Sequence, residues 1–386
     1  MGLRFLTAGE SHGKGLVVIL DGMPKGLPIE NERVRSELKR RQGGYGRGRR
    51  MQIESDTPEF LSGVRFGKTL GSPIAVSIAN EDFQSWQDVM APFGEQTDKR
   101  AVTRPRPGHA DLAGGLKYHT HELRDILERA SARETAARVV VGALCKLLLQ
   151  ALGVRVLGHV LSIGKAKAPS KQSLDEADWQ RALASEVACI DPNAEADMIE
   201  AIEQAKKGGD TLGGVAEVRV LGIVPGLGSH VQWDLKLDGR LAQALTSIPA
   251  IKAVAIGEGF EAAEKKGSEV HDAILFDKKK GFYRKTNRSG GLEGGMTTGE
   301  ELIVRAFMKP IATLMNPLPS VNVRTKQPEP AEIERSDTCA VPAMCVVAEA
   351  MVAFVLADAY LQKLGGDTLG ELIERLDRYK DRIEEY

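Results

Sequence analysis

The chain has 386 residues, of which 42% are hydrophobic and 27% are charged, and its formal net charge is −1. This is the composition of a soluble globular protein with a sizeable core, and the near-zero charge excludes a general attraction to nucleic acid or membrane surfaces. Four scattered cysteines without a CxxC pair argue against a disulfide framework and a zinc site; they are Cys145, Cys189, Cys339 and Cys345.

The expected location of the chain is the cytoplasm. The N-terminus lacks a basic region followed by an apolar stretch of signal-peptide length. The most apolar stretches, near 136–152 and 341–357, are interrupted by charge or proline and are expected to be too short to span a bilayer. The scattered cysteines are expected to be reduced thiols, as is typical of cytosolic proteins, so the chain is predicted to be cytoplasmic.

Predicted strands and helices follow one another without an internal repeat, a low-complexity linker or a break in composition. Short β-rich runs bounded by turn formers predict strands over 16–21, 73–78, 154–163, 214–224, 274–276 and 301–306. Apolar spacing and end signals predict helices over 29–41, 121–152, parts of 171–209, 342–363 and from about 370. We therefore expect one integrated α+β domain over residues 1–386.

The motif Gly9-Glu-Ser-His-Gly13 places an acid, a hydroxyl and an imidazole between two glycines, which let a backbone bend tightly around a ligand. Ser11 and His12 point to opposite faces of an extended backbone, so they are poorly placed to form a catalytic pair. The residue pattern also fits the Gly-x-Ser-x-Gly nucleophile elbow of hydrolases. That elbow requires a helix after the motif, however, and here a strand-like run follows. A structural turn is the alternative.

A second imidazole follows in Arg104-Pro-Arg-Pro-Gly-His109-Ala-Asp111. The prolines hold the approach rigid, and Gly108 permits a turn that presents His109. The carboxylate of Asp111, two residues on, is suited either to fix the tautomer of His109 or to raise the pKa of its imidazole. This stretch is as well explained by a structural turn as by a site.

The segment 39–50 is rich in arginine and glycine. Glycines disfavour a helix, so its later arginines are predicted to lie on a flexible loop that closes over an anion. A small, multiply charged anion fits better than nucleic acid, since Tyr45 is the one aromatic residue available for stacking. A solvated basic loop is the alternative.

Two further stretches suggest ligand contacts. Arg129 and Arg133 lie one helical turn apart and are predicted to share a face, with small residues between them that admit a flat ring or a phosphate. The glycine loop 290–299, followed by Lys309-Pro-Ile-Ala-Thr313, offers backbone N–H groups but is neither a P-loop nor a dinucleotide-binding turn. An ion-paired helix and an ordinary surface turn are the respective alternatives.

The last candidate is Glu334-Arg-Ser-Asp337, which leads into an apolar helix. Arg335 and Asp337 share a face of any extended segment. Asp337 also lies near the expected helix start, where an acid caps exposed N–H groups, so a capping role competes with a functional one.

Taken together, these stretches resemble the chorismate synthase family. Three signatures match, running from Gly9 to Pro24, from Arg129 to Leu144 and from Arg335 to Ala350. The segments 43–48, 106–111 and 290–296 match as well, so the resemblance covers nearly the whole chain. Two positions depart from the pattern: Ala130 stands where many relatives carry serine, and Pro249 where some carry asparagine.

The resemblance implies an enzyme that converts 5-enolpyruvylshikimate 3-phosphate to chorismate and phosphate by a 1,4-anti elimination. The reaction would require reduced FMN without net redox change. The implied fold is a β-α-β sandwich with helices between antiparallel sheets, assembled as a homotetramer. No metal, nucleic acid or membrane partner is implied.

The resemblance also implies roles for individual residues. His12 would serve the substrate phosphate and His109 would lie by the flavin, while Asp337, with Ser11 and Ser131 as relays, would assist removal of the ring proton. Arg41 and Arg47 match positions for NADP, although either would equally hold a substrate anion. The implied FMN contacts are Arg129, Ala130, Ser131, Pro249, Ala250, Gly294, Lys309, Pro310, Ile311, Ala312, Thr313 and Arg335.

Two questions stay open at this point. The chain contains no segment that resembles a separate reductase domain, so flavin reduction by an outside supply is favoured over reduction by bound NADPH. The rival functions are a non-catalytic phosphate-ligand or RNA-binding protein that uses the 39–50 loop and, more weakly, a Ser-His hydrolase.

Overall fold

The computed structural model describes residues 2–48, 55–95 and 97–386. The first strands are β1 Arg4–Ala8, β2 Gly15–Asp21, β3 Pro58–Phe60, β4 Val64–Arg65, β5 Lys68–Thr69, β6 Ile74–Ala79, β7 Arg155–Ile163 and β8 Ala166–Lys167. The later strands are β9 Gly214–Leu221, β10 Ile251–Ile256, β11 Ile274–Asp277, β12 Gly281–Arg284, β13 Leu292–Glu293, β14 Met296–Thr297, β15 Leu302–Met308, β16 Pro319–Val321 and β17 Pro328–Pro330.

Ten helices lie between and after these strands in the described part of the chain. They are α1 Asn31–Gln42, α2 Asp111–Tyr118, α3 Arg124–Ala130, α4 Thr135–Ala151, α5 Glu176–Ala184, α6 Pro192–Lys207, α7 Leu237–Thr246, α8 Gly267–Val270, α9 Val341–Leu364 and α10 Leu369–Glu384. Short 3₁₀ turns occur at Glu81–Trp86, Ala132–Glu134, Trp233–Leu235 and Gly259–Glu264. The predicted strands and most predicted helices agree with these bounds to within a few residues.

Two antiparallel sheets enclose a layer of helices. The four-stranded sheet has the order β1-β2-β6-β3, and the five-stranded sheet has the order β10-β15-β9-β7-β8. Helix α4 packs on β2 of the first sheet, while α9 packs on β7 and β9 of the second, and α1 contacts both helices. The predicted α+β sandwich with helices between antiparallel sheets is confirmed.

Strand β2 shows why the first sheet covers the core with one face. Leu16, Val18 and Leu20 are buried against the helical layer, and Val17 and Ile19 between them face outward. Successive side chains of a strand point to opposite faces, so this alternation places three large apolar groups in the core. The outer face nevertheless keeps apolar side chains.

Helix α9 is the central element of the helical layer. It has 24 residues, so the prediction that this stretch is too short to span a bilayer is wrong. Its most apolar window is 94% buried inside the protein. A helix that is apolar on all sides is stable in water only when neighbours cover every side, and here α1, α4, β7 and β9 do so.

The predicted helix over 121–152 is interrupted. Helix α3 ends at Ala130, Ser131 adopts an extended conformation (φ −62°, ψ 141°), and α4 begins at Thr135 after one 3₁₀ turn. The side chain of Ser131 accepts a hydrogen bond from the backbone N–H of Arg133 and so caps that turn. The prediction of one continuous helix is therefore wrong. The break is not visible in the sequence because the helical spacing of apolar residues continues on both sides of it.

The close contact of α4 and α9 depends on Gly142. A Cβ atom added there would lie 2.2 Å from the Cβ of Ala350 and 2.3 Å from its Cα. Gly142→Ala is therefore expected to lower the free energy of unfolding by about 1–3 kcal/mol, because the two backbones must move apart. Urea unfolding measures this change at a fixed protein concentration.

Gly370, in α10, provides the matched control. An added Cβ there meets nothing within 4 Å, so Gly370→Ala is expected to keep or raise the stability by up to about 1 kcal/mol. If Gly142→Ala proved as stable as the parent, the described contact between α4 and α9 would be incorrect.

Candidate active site

The Gly9–Gly13 motif forms the turn between β1 and β2. Gly9 has φ +107°, and an added Cβ would lie 2.3 Å from the carbonyl oxygen of Gly15, so this position requires glycine. The side-chain amide of Asn80 donates to the carbonyls of Glu10 (3.1 Å) and Gly13 (2.8 Å). A strand follows the motif, so the geometry differs from a hydrolase elbow.

His12 is buried and held on two sides. Glu128 of α3 accepts the backbone N–H of His12 through Oε2 (2.7 Å) and pairs with the ring Nδ1 through Oε1 (2.8 Å). The ring stacks on the indole of Trp86 with 3.9 Å between centroids and 25° between planes. Arg100 lies over the same indole, 3.9 Å from its centroid. The position and plane of this imidazole are therefore determined by other side chains.

Ser11 and His12 engage different partners. The hydroxyl of Ser131 donates to the hydroxyl of Ser11 (3.1 Å), and the backbone N–H of Ser11 donates to the carbonyl of Glu128. The two predicted relay residues are thus in contact although 120 positions separate them in the sequence. His12 uses Nδ1 for Glu128, which agrees with the prediction that Ser11 and His12 form no catalytic pair.

His109 is bound by the carboxylate that the sequence predicted. Its Nδ1 lies 2.5 Å from Oδ1 of Asp111, whose other oxygen accepts from Nε of Arg106 (2.8 Å). Arg106 also donates to the hydroxyl of Thr313 (2.9 Å). Burial alone would raise the pKa of Asp111, but the hydrogen bonds and charges of His109 and Arg106 hold that pKa well below its usual value. Asp111 is therefore ionised beneath the imidazole.

The 309–313 segment approaches the turn that carries His109. The ammonium group of Lys309 donates to the carbonyl of Gly108, and its backbone N–H donates to the carbonyl of Ala250 (3.0 Å). Burial and the nearby charge of Lys252 lower the pKa of Lys309. Four groups predicted to act at one site, at His109, Ala250, Lys309 and Thr313, are thus brought together.

An extended segment, 332–337, joins the surrounding loops through its charged side chains. The pairs are Glu332 with Arg104 (2.8 Å), Glu334 with Arg124 (2.9 Å), Arg335 with Asp82 (3.3 Å) and Asp337 with Arg47 (2.8 Å). These partners belong to the His109 turn, to α3, to the 3₁₀ turn that bears Trp86 and to the basic loop. One short segment therefore positions four parts of the candidate site.

Asp337 is not a helix cap. Helix α9 begins at Val341 after Ala340, which makes no side-chain cap, so the capping alternative is wrong. The carboxylate of Asp337 instead accepts the backbone N–H of Gly48 (2.6 Å) and pairs with Arg47. Through these contacts it closes the basic loop onto the site.

Arg129 and Arg133 lie on opposite sides of the break at Ser131, so the prediction that they share a helix face is wrong. Arg129 is exposed and donates to the carbonyls of Thr7 (3.0 Å) and Gly9 (3.2 Å). Arg133 is buried and pairs with Asp56 (2.5 Å). The extended backbone of Ser131 turns the two side chains apart.

Arg41 belongs to the same buried cluster as Arg133. Its guanidinium contacts Asp56 (3.4 Å), the hydroxyl of Thr135 (3.0 Å) and the carbonyl of Ala132 (3.2 Å). Burial lowers the pKa of Arg41 to about 10. Of the basic segment 39–50, Arg41 lies in the last turn of α1 and Arg47 binds Asp337. The prediction for its later arginines Arg49 and Arg50 falls outside the described residues.

The remaining predicted FMN contacts lie on several separate segments. Ala130 and Arg129 line an open groove of about 590 Å³ that also includes Tyr118 and Ile126. Ala250 adopts a left-handed conformation with φ +69°, next to Pro249. Gly294 is exposed in the turn between β13 and β14, and Pro310, Ile311 and Ala312 lie between Lys309 and Thr313.

Sequence reasoning missed several residues that hold the site. Among them are Asp56, Asn80, Trp86, Arg124 and Glu128. Glu128 directly precedes the second signature, which was a usable signal, whereas Asp56 and Trp86 lie in stretches without a motif. Over the residues that the structure describes, no group of three or more His, Cys, Asp or Glu side chains is arranged to hold a metal ion.

Comparisons with known proteins identify the family of this chain. A family model described as chorismate synthase matches residues 3–361. Chorismate synthase of Moorella thermoacetica is 58% identical over 386 residues, covering 99% of this chain and all of the relative, and that of Thermus thermophilus is 58% identical over 387 residues, covering all of both chains. A crystal structure of chorismate synthase superposes with a TM-score of 0.82 at 44% identity, covering 100% of this chain and 99% of the other. The chain therefore belongs to the chorismate synthase family.

Proposed function

We propose that this chain converts 5-enolpyruvylshikimate 3-phosphate to chorismate and phosphate by a 1,4-anti elimination that requires reduced FMN. Family membership makes it a lyase of the chorismate synthase type with a small-molecule substrate. The observation that carries the finer proposal is a pair of imidazoles, His12 and His109, each bound at Nδ1 by a buried carboxylate.

His12 is the proposed proton donor to the leaving phosphate. Breaking the carbon–oxygen bond is easier when a general acid protonates or hydrogen-bonds the departing oxygen. Glu128 occupies Nδ1 of His12, so Nε2 is the nitrogen proposed to meet the phosphate. The stack on Trp86 prevents the ring from turning away.

Arginine side chains are proposed to neutralise the substrate, which carries two carboxylates and a phosphate. Guanidinium groups bind both kinds of anion in bidentate fashion. Arg129 and Arg335 are both exposed, so they have room to take a ligand. A local cluster of arginines is compatible with the near-neutral net charge of the whole chain.

The residues around Lys309 fit the phosphate-bearing cofactor FMN. The positive charge of exposed Lys252 disfavours that of partly buried Lys309, and a bound anion would offset this repulsion. Ala250 and Ala312 are small enough to leave room for a flat ring. When bound, reduced FMN would lend electron density to the substrate and recover it. His109 is proposed to lie beside the flavin and favour its electron-rich form.

Asp337, Ser11 and Ser131 are proposed to assist removal of the substrate's ring proton. The hydroxyl groups of Ser131 and Ser11 are 3.1 Å apart, which is the distance of a hydrogen-bonded relay. Arg41 and Arg47 are proposed to lie near NADP or a substrate anion, and flavin reduction is proposed to come from an outside supply.

The working form is proposed to be a cytoplasmic homotetramer of one-domain chains. The outer face of the four-stranded sheet exposes Leu6, Val17, Ile19 and Leu61, and Leu6 lies directly opposite Ile19 in register. A contiguous apolar surface of this kind is typical of a subunit contact. One continuous core, shared by both sheets and the helical layer, supports a single domain.

An anaerobic assay tests the function. With photoreduced FMN and the phosphorylated substrate, we expect equal amounts of phosphate and chorismate, whereas oxidised FMN should give neither. Absence of phosphate release with reduced FMN contradicts the proposal. In the same assay, NADPH supplied with oxidised FMN should give no product if an outside reductant is needed.

The rival binding function is less well supported. Arg41 and Arg47 of the basic loop pair with Asp56 and Asp337, so they are not splayed toward a nucleic-acid backbone. RNA binding would weaken steeply with salt, whereas the proposed enzyme should bind one FMN for each chain over a range of ionic strength.

A further inference from the structure

Glu128 satisfies two donors of the same residue. Its Oε2 accepts the backbone N–H of His12 at 2.7 Å, and its Oε1 pairs with Nδ1 of the ring at 2.8 Å. The carboxylate is 2% exposed. Since an ionised carboxylate is an acceptor only, the short contact places a proton on Nδ1.

The charge of Glu128 is maintained by its surroundings. Arg124 donates to Oε1 of Glu128 (3.2 Å) and to Glu334 (2.9 Å), which lies on the 332–337 segment. Burial alone would raise the pKa of Glu128, but the hydrogen bonds from His12 and the charge of Arg124 lower it below its usual value. Glu128 is therefore a carboxylate at neutral pH.

We propose that Glu128 is a positioning residue that holds His12 in the Nδ1–H tautomer and pairs with its imidazolium, and that Nε2 exchanges the proton with the ligand. The part of this proposal that concerns catalysis rests on the proposed role of His12. The part that concerns the tautomer stands on the geometry alone. Trp86 contributes by fixing the ring plane, so that Nε2 is presented in one direction.

The second imidazole has a related arrangement, except that Arg106 also lies 3.0 Å from Nδ1 of His109. Asp111 binds Nδ1 of His109 and is itself bound by Arg106, as Glu128 binds Nδ1 of His12 and is itself bound by Arg124. Two histidines on unrelated stretches thus share a carboxylate on Nδ1 and an arginine behind that carboxylate. A carboxylate on Nδ1 is therefore a feature that the two imidazoles of the proposed site have in common.

Glu128→Gln tests the tautomer of His12, because it keeps the shape of the side chain at position 128 and changes only the groups that bind His12. A glutamine has one acceptor oxygen, whereas His12 presents two donors to this side chain. If the oxygen keeps the backbone N–H, the amide NH₂ faces Nδ1 and forces the proton to Nε2. Replacing the carboxylate of a catalytic triad by its amide selects the wrong tautomer in this way.

The tautomer is measured directly by ¹⁵N NMR of the full-length protein labelled at its seven histidines. The signal of His12 is identified by its absence in His12→Gln. We expect a protonated Nδ1 in the unsubstituted protein, and a protonated Nε2 in Glu128→Gln. A protonated Nε2 with bare Nδ1 in the unsubstituted protein overturns the proposal without any substitution, so the test survives a variant that fails to fold.

Kinetics with reduced FMN supply the second readout. Glu128→Gln is expected to lower kcat by on the order of 10²-fold while KM changes little, because the amide no longer stabilises the imidazolium and a neutral imidazole is a much weaker acid, whereas the binding groups remain. Glu134→Gln is the matched control: Glu134 is also a buried acid beside α4, pairs with Arg138 and does not contact His12 among the hydrogen bonds described. It should leave both the tautomer and kcat unchanged.

The outcomes distinguish this proposal from the proposed function. An unchanged tautomer and kcat in Glu128→Gln overturn the positioning role. A changed tautomer with unaffected kcat in both Glu128→Gln and His12→Gln upholds the positioning role and overturns the acid role of His12. Equal losses in Glu128→Gln and Glu134→Gln also count against the proposal, since they indicate a general effect on the fold.

Discussion

Replacement of His12 or of His109 by alanine is expected to slow phosphate release by about 10²- to 10⁴-fold each, the loss that follows removal of a positioned proton-transfer group. His12→Ala removes the proposed donor to the phosphate, and His109→Ala removes the imidazole bound by Asp111. Single-turnover assays with saturating substrate and reduced FMN measure the step itself rather than product release.

His121→Ala is the control for these two variants, because His121 is exposed and belongs to none of the contacts described for the site. It should turn over at the parental rate. If His12→Ala or His109→Ala does so as well, the role given to that imidazole is wrong. FMN binding by each variant, followed by fluorescence, separates loss of chemistry from loss of the cofactor.

Asp56→Asn is expected to lower the free energy of unfolding by about 3–5 kcal/mol, the usual consequence of leaving buried charges without a counterion. Asp56 is the carboxylate between Arg41 and Arg133, and the side chains of all three are at most 4% exposed. Asparagine keeps the shape of the residue but leaves two guanidinium groups facing each other. Urea unfolding monitored by circular dichroism, at one protein concentration, measures the loss.

Asp88→Asn is the matched control, because it removes the same negative charge from an exposed position. Asp88 pairs with Lys99 at the surface, where the two side chains are 80% and 69% exposed, so its loss should change stability by less than about 0.5 kcal/mol. An Asp56→Asn protein as stable as the control would show that the buried arginines do not depend on this carboxylate. Because Arg133 also binds Asn80, which holds the Gly9–Gly13 turn, reduced activity should accompany the lost stability.

Local patterns in the sequence were sufficient for most of the fold. Strand β2 and helix α9 follow from alternation and from a long apolar run, because side-chain periodicity depends on the backbone of the element itself. The interruption at Ser131 was missed, since the apolar spacing on each side continues as though the helix did. The capping role of Asp337 failed for a different reason: Arg47 and Gly48, remote in sequence, bind its carboxylate instead.

The three signatures contain residues that stabilise the fold as well as residues of the candidate site, and the sequence alone does not distinguish the two kinds. Gly142 lies near the end of the second signature and Ala350 ends the third, and in the folded chain they touch each other between α4 and α9. Glu349, beside Ala350, pairs with Arg40 and Lys146 in the helical layer. Gly142, Glu349 and Ala350 contribute packing and internal charge pairing, although they belong to the same signatures as residues of the candidate site.

The sequence by itself determined the family and the sandwich of sheets and helices, and it singled out His12 and His109 as candidate site residues. Only the tertiary structure decided that Glu128, 116 positions away, holds His12, and that Arg133 lies inward against Asp56 while Arg129 lies outward. The physical reason is that a residue's type and local spacing specify the chemistry it is able to perform. The partner that orients it, in contrast, is chosen by the packing of elements far apart along the chain.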